Sequence, residues 1–189
     1  MQLWRARVRT LCAILLILFL FAQGDAAGPA VILYRIGDGG EEALALLAQS
    51  LEGKGYGVNL VQGETDIDKH VEKISRINRV QEAVFLAVEI VPSEKSRVTV
   101  AEAEGRKGEG RFLSITEIPS RFAEESDRLA ASVAAPFGVK ITHLPLFPLL
   151  GVTMPGIAVK LELSTGDNSE TISRLSSGIE KYFSERTGR

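Results

Sequence analysis

The sequence predicts an α/β fold: one domain built on a mostly parallel mixed sheet, with helices covering both faces. Three observations predict it. Val31 to Ile36 is an apolar, β-rich run of strand length, Gly37-Asp38-Gly39-Gly40 is a glycine turn, and Glu41 to Leu51 carries apolar residues at helical spacing. Ala83 to Val91 is almost continuously apolar, as a central strand covered on both faces must be. Strand and helix patterns then alternate to the end of the chain, which implies parallel pairing through crossovers.

Taken in order, residues 1–26 read as a signal peptide. Arg5, Arg7 and Arg9 precede an unbroken apolar run from Leu11 to Ala22, and small residues close the segment at Ala26. A run of this length is short for a membrane span, so membrane attachment is expected only through an uncleaved leader. The single cysteine, Cys12, falls in the leader, and the mature chain has no thiol or disulfide chemistry. Residues 27–189 form one domain with a sizeable core. The leader holds three of the 22 basic and one of the 24 acidic residues, leaving 19 against 23 and a net charge near −4. With no Lys/Arg tract, this balance argues against nucleic acid as partner.

Asp38 and Glu41 sit at the turn and at the first helical position, where a helix N-terminus stabilises a carboxylate as either a cap or a cation ligand. Glycines at 53, 55 and 57 end that helix, and Val58 to Val61 resumes a strand. Ile67, Val71, Ile74 and Ile77 recur at helical spacing over 67–80, a helix on which His70 is expected as a solvated surface residue. Arg97 to Ala103 and Arg111 to Ile115 alternate with charges about a glycine-rich centre, the pattern of a solvent-facing hairpin. Pro119 opens a helix to about Ala134, with Thr116 or Ser120 as cap. Four prolines and two glycines between Ala135 and Pro155 indicate a buried or cleft-lining loop. Gly156 to Leu163 is the last strand, and Ser169 to Phe183 the closing helix. No phosphate loop, Gly-x-Ser-x-Gly stretch or Cys/His cluster is present.

Three short stretches carry a resemblance. They are Gly37-Asp38-Gly39-Gly40 followed by Glu41; Arg76 and Asn78 followed by the strand Phe85-Leu86-Ala87-Val88-Glu89-Ile90; and Met154-Pro155-Gly156-Ile157-Ala158-Val159-Lys160 with Gly178-Ile179 and Tyr182-Phe183 near the end. In this order they resemble the zinc-dependent N-acetylmuramoyl-L-alanine amidases that cleave bacterial cell-wall peptidoglycan. That family has a Gly-His-Gly-Gly turn before a helix bearing a glutamate ligand, a strand ending Ser-Ile-His-Ala-Asn, and a Pro-Ala-X-Leu-X-Glu strand.

The resemblance implies a degenerate member. The first ligand histidine becomes Asp38, the second becomes Glu89, the ligand glutamate is kept at Glu41, and the general-base glutamate becomes Lys160. Amide hydrolysis on a metal needs three protein ligands, an open position for water and a base that accepts its proton. An ammonium at Lys160 cannot accept a proton and repels a cation. Lys160 is therefore expected to replace the metal and pair with Asp38, Glu41 or Glu89. Glu162, two residues along the same strand, is the possible substitute base. His143 is either a substrate contact or substitute ligand beside the implied cleft, or a loop histidine bonded to backbone. These expectations give an exported, periplasmic or extracellular amidase-like domain. It is catalytically inactive, without a cofactor, and binds peptidoglycan or regulates a cell-wall enzyme. The alternative is a divergent amidase holding one divalent metal ion on Asp38, Glu41 and Glu89, which as oxygen ligands favour calcium, magnesium or manganese.

Overall fold

Alternation along the central strands sets the architecture. The computed structural model describes residues 28–103, 114–144, 146–164 and 168–187; the expected leader lies outside the described residues, as do residues 111–113 of the expected hairpin. The strands are β1 (Gly28–Ile36), β2 (Tyr56–Gln62), β3 (Ala83–Pro92), β4 (Arg97–Ala103), β5 (Ile141–Leu144) and β6 (Gly156–Leu163). They form one sheet in the order β2-β1-β3-β6-β4-β5. β1, β2, β3 and β6 are parallel, β4 runs antiparallel to β6, and β5 lies parallel to β4. The helices are α1 (Glu41–Glu52), α2 (Ile67–Ile77), α3 (Ala123–Ala134) and α4 (Ser169–Thr187). The single α/β domain with a mixed, mostly parallel sheet expected from the sequence is the fold observed.

Successive strand residues point to opposite faces. Val31, Leu33, Val84, Leu86 and Val88 therefore share a core with α1, α3 and α4, while Ile32, Tyr34, Phe85 and Ala87 pack against α2 and the 149–154 segment. In α1 the helical spacing of Leu44, Leu47 and Leu51 puts all three on the sheet side, where each is fully buried. Burial of that kind stabilises by roughly 1.5–3 kcal/mol per side chain.

The third and fourth helices cross where a side chain is missing. A Cβ at Gly178 would lie 2.8 Å from Ser132 O and 2.8 Å from Val133 Cα, so only glycine allows α4 to approach the α3 backbone this closely.

Two expectations are corrected here. β4 does not lie in a solvent-facing hairpin. It sits between β6 and β5 with Val98, Val100, Ala101 and Glu102 buried, because α3 covers one side and β5 closes the edge. β5 itself, inside the segment expected to be loop, has four residues with one half-buried and three exposed, so it carries no apolar alternation to detect.

His70 is fully buried, not solvated. Asp66 caps α2 by accepting the Lys69 N–H at 3.0 Å, and that start turns His70, Ile74 and Ile77 inward at positions i, i+4 and i+7. The Tyr34 hydroxyl donates to His70 Nδ1 at 2.8 Å and accepts from the Glu64 N–H at 2.8 Å. His70 Nε2–H donates to Leu150 O at 3.2 Å, so both ring nitrogens are satisfied in the neutral form. Burial lowers the pKa of His70, with the Leu150 carbonyl opposing.

Two measurements check this packing. Gly178→Ala should lower stability in denaturant unfolding by about 1–3 kcal/mol, the overpacking cost exceeding the ~1 kcal/mol that alanine gains in a helix interior. Equal or greater stability would contradict the close crossing. His70 should titrate by NMR below the ordinary value of 6.5. Stability it contributes is present above that value and is lost as pH falls, since the unfolded chain takes up a proton that the folded one refuses. An imidazole titrating at or above 6.5 would contradict its burial.

Candidate functional site

On the α2 face of the sheet, the apolar cover includes Ala87 of β3 and Ala158 of β6 and goes no further along those strands. The next residues on that face are Glu89 and Lys160, which the parallel register of β3 and β6 sets side by side. Glu162 follows on the same face of β6, and Arg97 of β4 is its register partner. Lys160 Nζ lies 4.0 Å from Glu89 Oε2 and 3.8 Å from Glu162 Oε1, and Arg97 Nε lies 4.0 Å from Glu162 Oε2. The Lys160 and Glu89 side chains are 43% and 41% exposed, which makes this a solvated charged shelf, where each ion pair contributes on the order of 0–1 kcal/mol. It occupies the carboxyl ends of parallel strands, the part of an open α/β sheet where ligands bind.

The turn after β1 borders the same end. Gly37 and Gly40 both have φ of 76°, and a Cβ at Gly40 would fall 2.3 Å from the Ile90 Cβ, so this position requires glycine twice over. Gly40 is the N-cap of α1 and no side chain caps the helix. Asp38 therefore does not make the cap that its position suggests, and is exposed in the turn. Glu41, 84% exposed, has Oε2 3.7 Å from Arg35 Nη1, and the helix dipole favours its charge.

Lys160 thus pairs with Glu89, one of the three partners expected for it, and with Glu162, and is not turned away from them. Asp38, Glu41 and Glu89 do not converge. Among the described residues no three His, Cys, Asp or Glu side chains are grouped so that they could hold a metal ion. The ammonium of Lys160 beside Glu89 and the guanidinium of Arg35 beside Glu41 put positive charge next to the carboxylates that a divalent cation would need.

His143 lies elsewhere. It is the β5 register partner of Glu102, and its Nδ1 is 2.6 Å from Glu102 Oε1. On β4, Thr99 is opposite Lys160 and Glu102 is three residues further, hence on the other face of the sheet, beneath α3. His143 is accordingly neither a contact on the Lys160 shelf nor a backbone-bonded loop residue. The sequence gives no hint of the Glu102–His143 pair, because it depends on β5.

No family model matches the sequence, and no curated protein does. Solved structures do. The catalytic domain of the CD27L endolysin targeting Clostridia difficile matches with a TM-score of 0.55 at 10% identity, covering 84% of this chain and 98% of that one. The N-acetylmuramyl-L-alanine amidase Ami1 from Mycobacterium smegmatis has a TM-score of 0.49 at 12% identity, over 87% of this chain and 99% of that one. Ami1 from Mycobacterium abscessus gives 0.46 at 15% identity, over 83% and 99%. The endolysin likeness establishes that this chain shares its fold with that catalytic domain.

Lys160→Glu should lower stability by about 1 kcal/mol in denaturant unfolding at low salt, and by less at high salt, because it replaces the cation of a partly exposed cluster with a third acid. Unchanged stability at low salt would mean that the ammonium is not balancing Glu89 and Glu162.

Proposed function

We propose that this chain is an exported, amidase-like domain that does not hydrolyse amides and acts by binding peptidoglycan or a cell-wall enzyme. The observation that carries the reading is the ammonium of Lys160, set between Glu89 and Glu162 where the resemblance puts a general base. A hydrolytic site of this class needs a proton acceptor and a ligated metal with an open position. Here the β6 residue is a proton donor. Glu89 and Glu162 flank it with negative charge, and Arg97 pairs with Glu162 in turn.

Such a shelf is suited to recognition. Lys160 and Arg97 offer charge-assisted donors to the carboxylates of peptide stems, and Glu89 and Glu162 accept from their amides and amines. The arrangement is open, so an extended strand has access to it along the carboxyl ends of β3 and β6. The leader expected over residues 1–26 would deliver the domain to the compartment where such strands are found.

Co-sedimentation of the purified chain with peptidoglycan, run beside a hydrolysis assay with and without added divalent metal, tests this. Retention that weakens several-fold in Lys160→Ala, with no release of soluble fragments, is the expected outcome. Fragment release that requires a stoichiometric metal would overturn it in favour of a divergent metal-dependent amidase. Neither retention nor release would remove peptidoglycan and leave a cell-wall enzyme as the partner.

A further inference from the structure

Beneath α3, on the face of the sheet opposite the charged shelf, Glu102 is 3% exposed. Its Oε1 accepts the Nδ1–H of His143 at 2.6 Å. Its Oε2 is buried with no hydrogen-bond partner. The residue lines a cavity of about 10 Å³, room for about one water, whose wall also includes Asp127 of α3.

Asp127 is exposed to water while Glu102 is buried, and were both ionised there would be no hydrogen between Glu102 Oε2 and the Asp127 carboxylate. A single proton between them supplies the donor that Oε2 lacks. No other titratable group is placed to do so among the described residues. His143 from β5 already spends its Nδ1–H on Oε1. The remaining side chains around the cavity, Pro119, Ala123, Leu149, Val152 and Met154, are apolar. The Ser126 oxygen accepts the Gly156 N–H at 3.0 Å. Arg128, the next residue to Asp127 on α3, is paired with Glu124.

We propose that buried Glu102 keeps a proton that it turns toward Asp127 and, with His143, forms a proton-linked latch that ties the β4–β5 edge of the sheet to α3 and loosens when that proton leaves. Burial first, and then the hydrogen bond and charge of Asp127, push Glu102 up from 4.5 to about 8. A raised acid contributes stability that is complete below its unfolded value and is lost as pH rises through its folded value. Between 4.5 and about 8 the folded chain holds a proton that the unfolded chain does not. Each unit of pH in that window lowers the folding equilibrium constant by up to about tenfold, and the dependence ends above it. Past that point a buried charge stands on Glu102 with no donor at Oε2 and a like charge nearby on Asp127, which weakens the packing of α3 on β4.

Infrared spectroscopy of the intact chain reads the proton directly. At pH 6.5 a carboxylic-acid carbonyl band should remain after the exposed carboxyls have ionised, disappear by about pH 9 to 10, and be missing from Glu102→Gln. Asp127→Asn should make the band vanish at lower pH, since it removes the like charge. Denaturant unfolding should show stability falling from pH 6 to 8 in the natural chain and no such fall in Glu102→Gln. Absence of the band at pH 6.5 in the natural chain, or the same pH dependence in both proteins, would overturn the latch. If Glu102→Gln does not fold, the band of the natural chain and its displacement in Asp127→Asn decide the matter.

Discussion

The in-register parallel pairing of β3 with β6 is the constraint on which the rest of the molecule's surface chemistry depends. It aligns Phe85, Ala87 and Glu89 with Gly156, Ala158 and Lys160, so the two strands turn from apolar to charged at the same height. Below that height the α2 face is covered by α2 and the 149–154 segment, and small residues at 87 and 158 let the cover sit close. Above it the cover stops, and side chains must be compatible with water. A carboxylate and an ammonium set opposite each other satisfy that condition without a metal. A one-residue slip of β6 against β3 would send Lys160 and Glu162 into the α3–α4 core and leave Glu89 behind, which is why the register is tightly specified.

The likeness to the endolysin catalytic domain lies in this scaffold. Order of elements, the glycine turn before α1 and the closing helix are all consistent with one framework. At the carboxyl end of that scaffold Glu89, Lys160, Glu162 and Arg97 balance each other's charge.

How much of this is legible in the sequence follows from how local each signal is. β1, α1, β3, β6 and the closing helix are legible because each bears its own periodicity over a long stretch. The neighbourhood of Glu89 and Lys160 is legible as well, since it needs only the strand order and one register. β5 is not: four residues among prolines, mostly exposed, join the sheet by backbone pairing and by scattered side-chain contacts that leave no periodic pattern. Missing β5 leaves β4 reading as a hairpin strand, and then neither the burial of Glu102 nor its contact with His143 can be inferred. His70 is concealed for a related reason. The acids around it suggest a wet helix face, but the Asp66 cap fixes a phase that turns the ring toward Tyr34 and Leu150.

The fit of Ile90 into the notch at Gly40 has a consequence for how such a domain can change. Because the isoleucine fills the volume that any side chain at 40 would need, the loop behind β1 and the tip of β3 share a wall and keep their spacing whatever stands at 38, 41 or 89. A substitution at any of those three positions leaves the contact between Gly40 and Ile90 itself untouched. A protein engineer inherits the same freedom: new groups can be installed around that end of the sheet as furnishings, with the masonry left as it is.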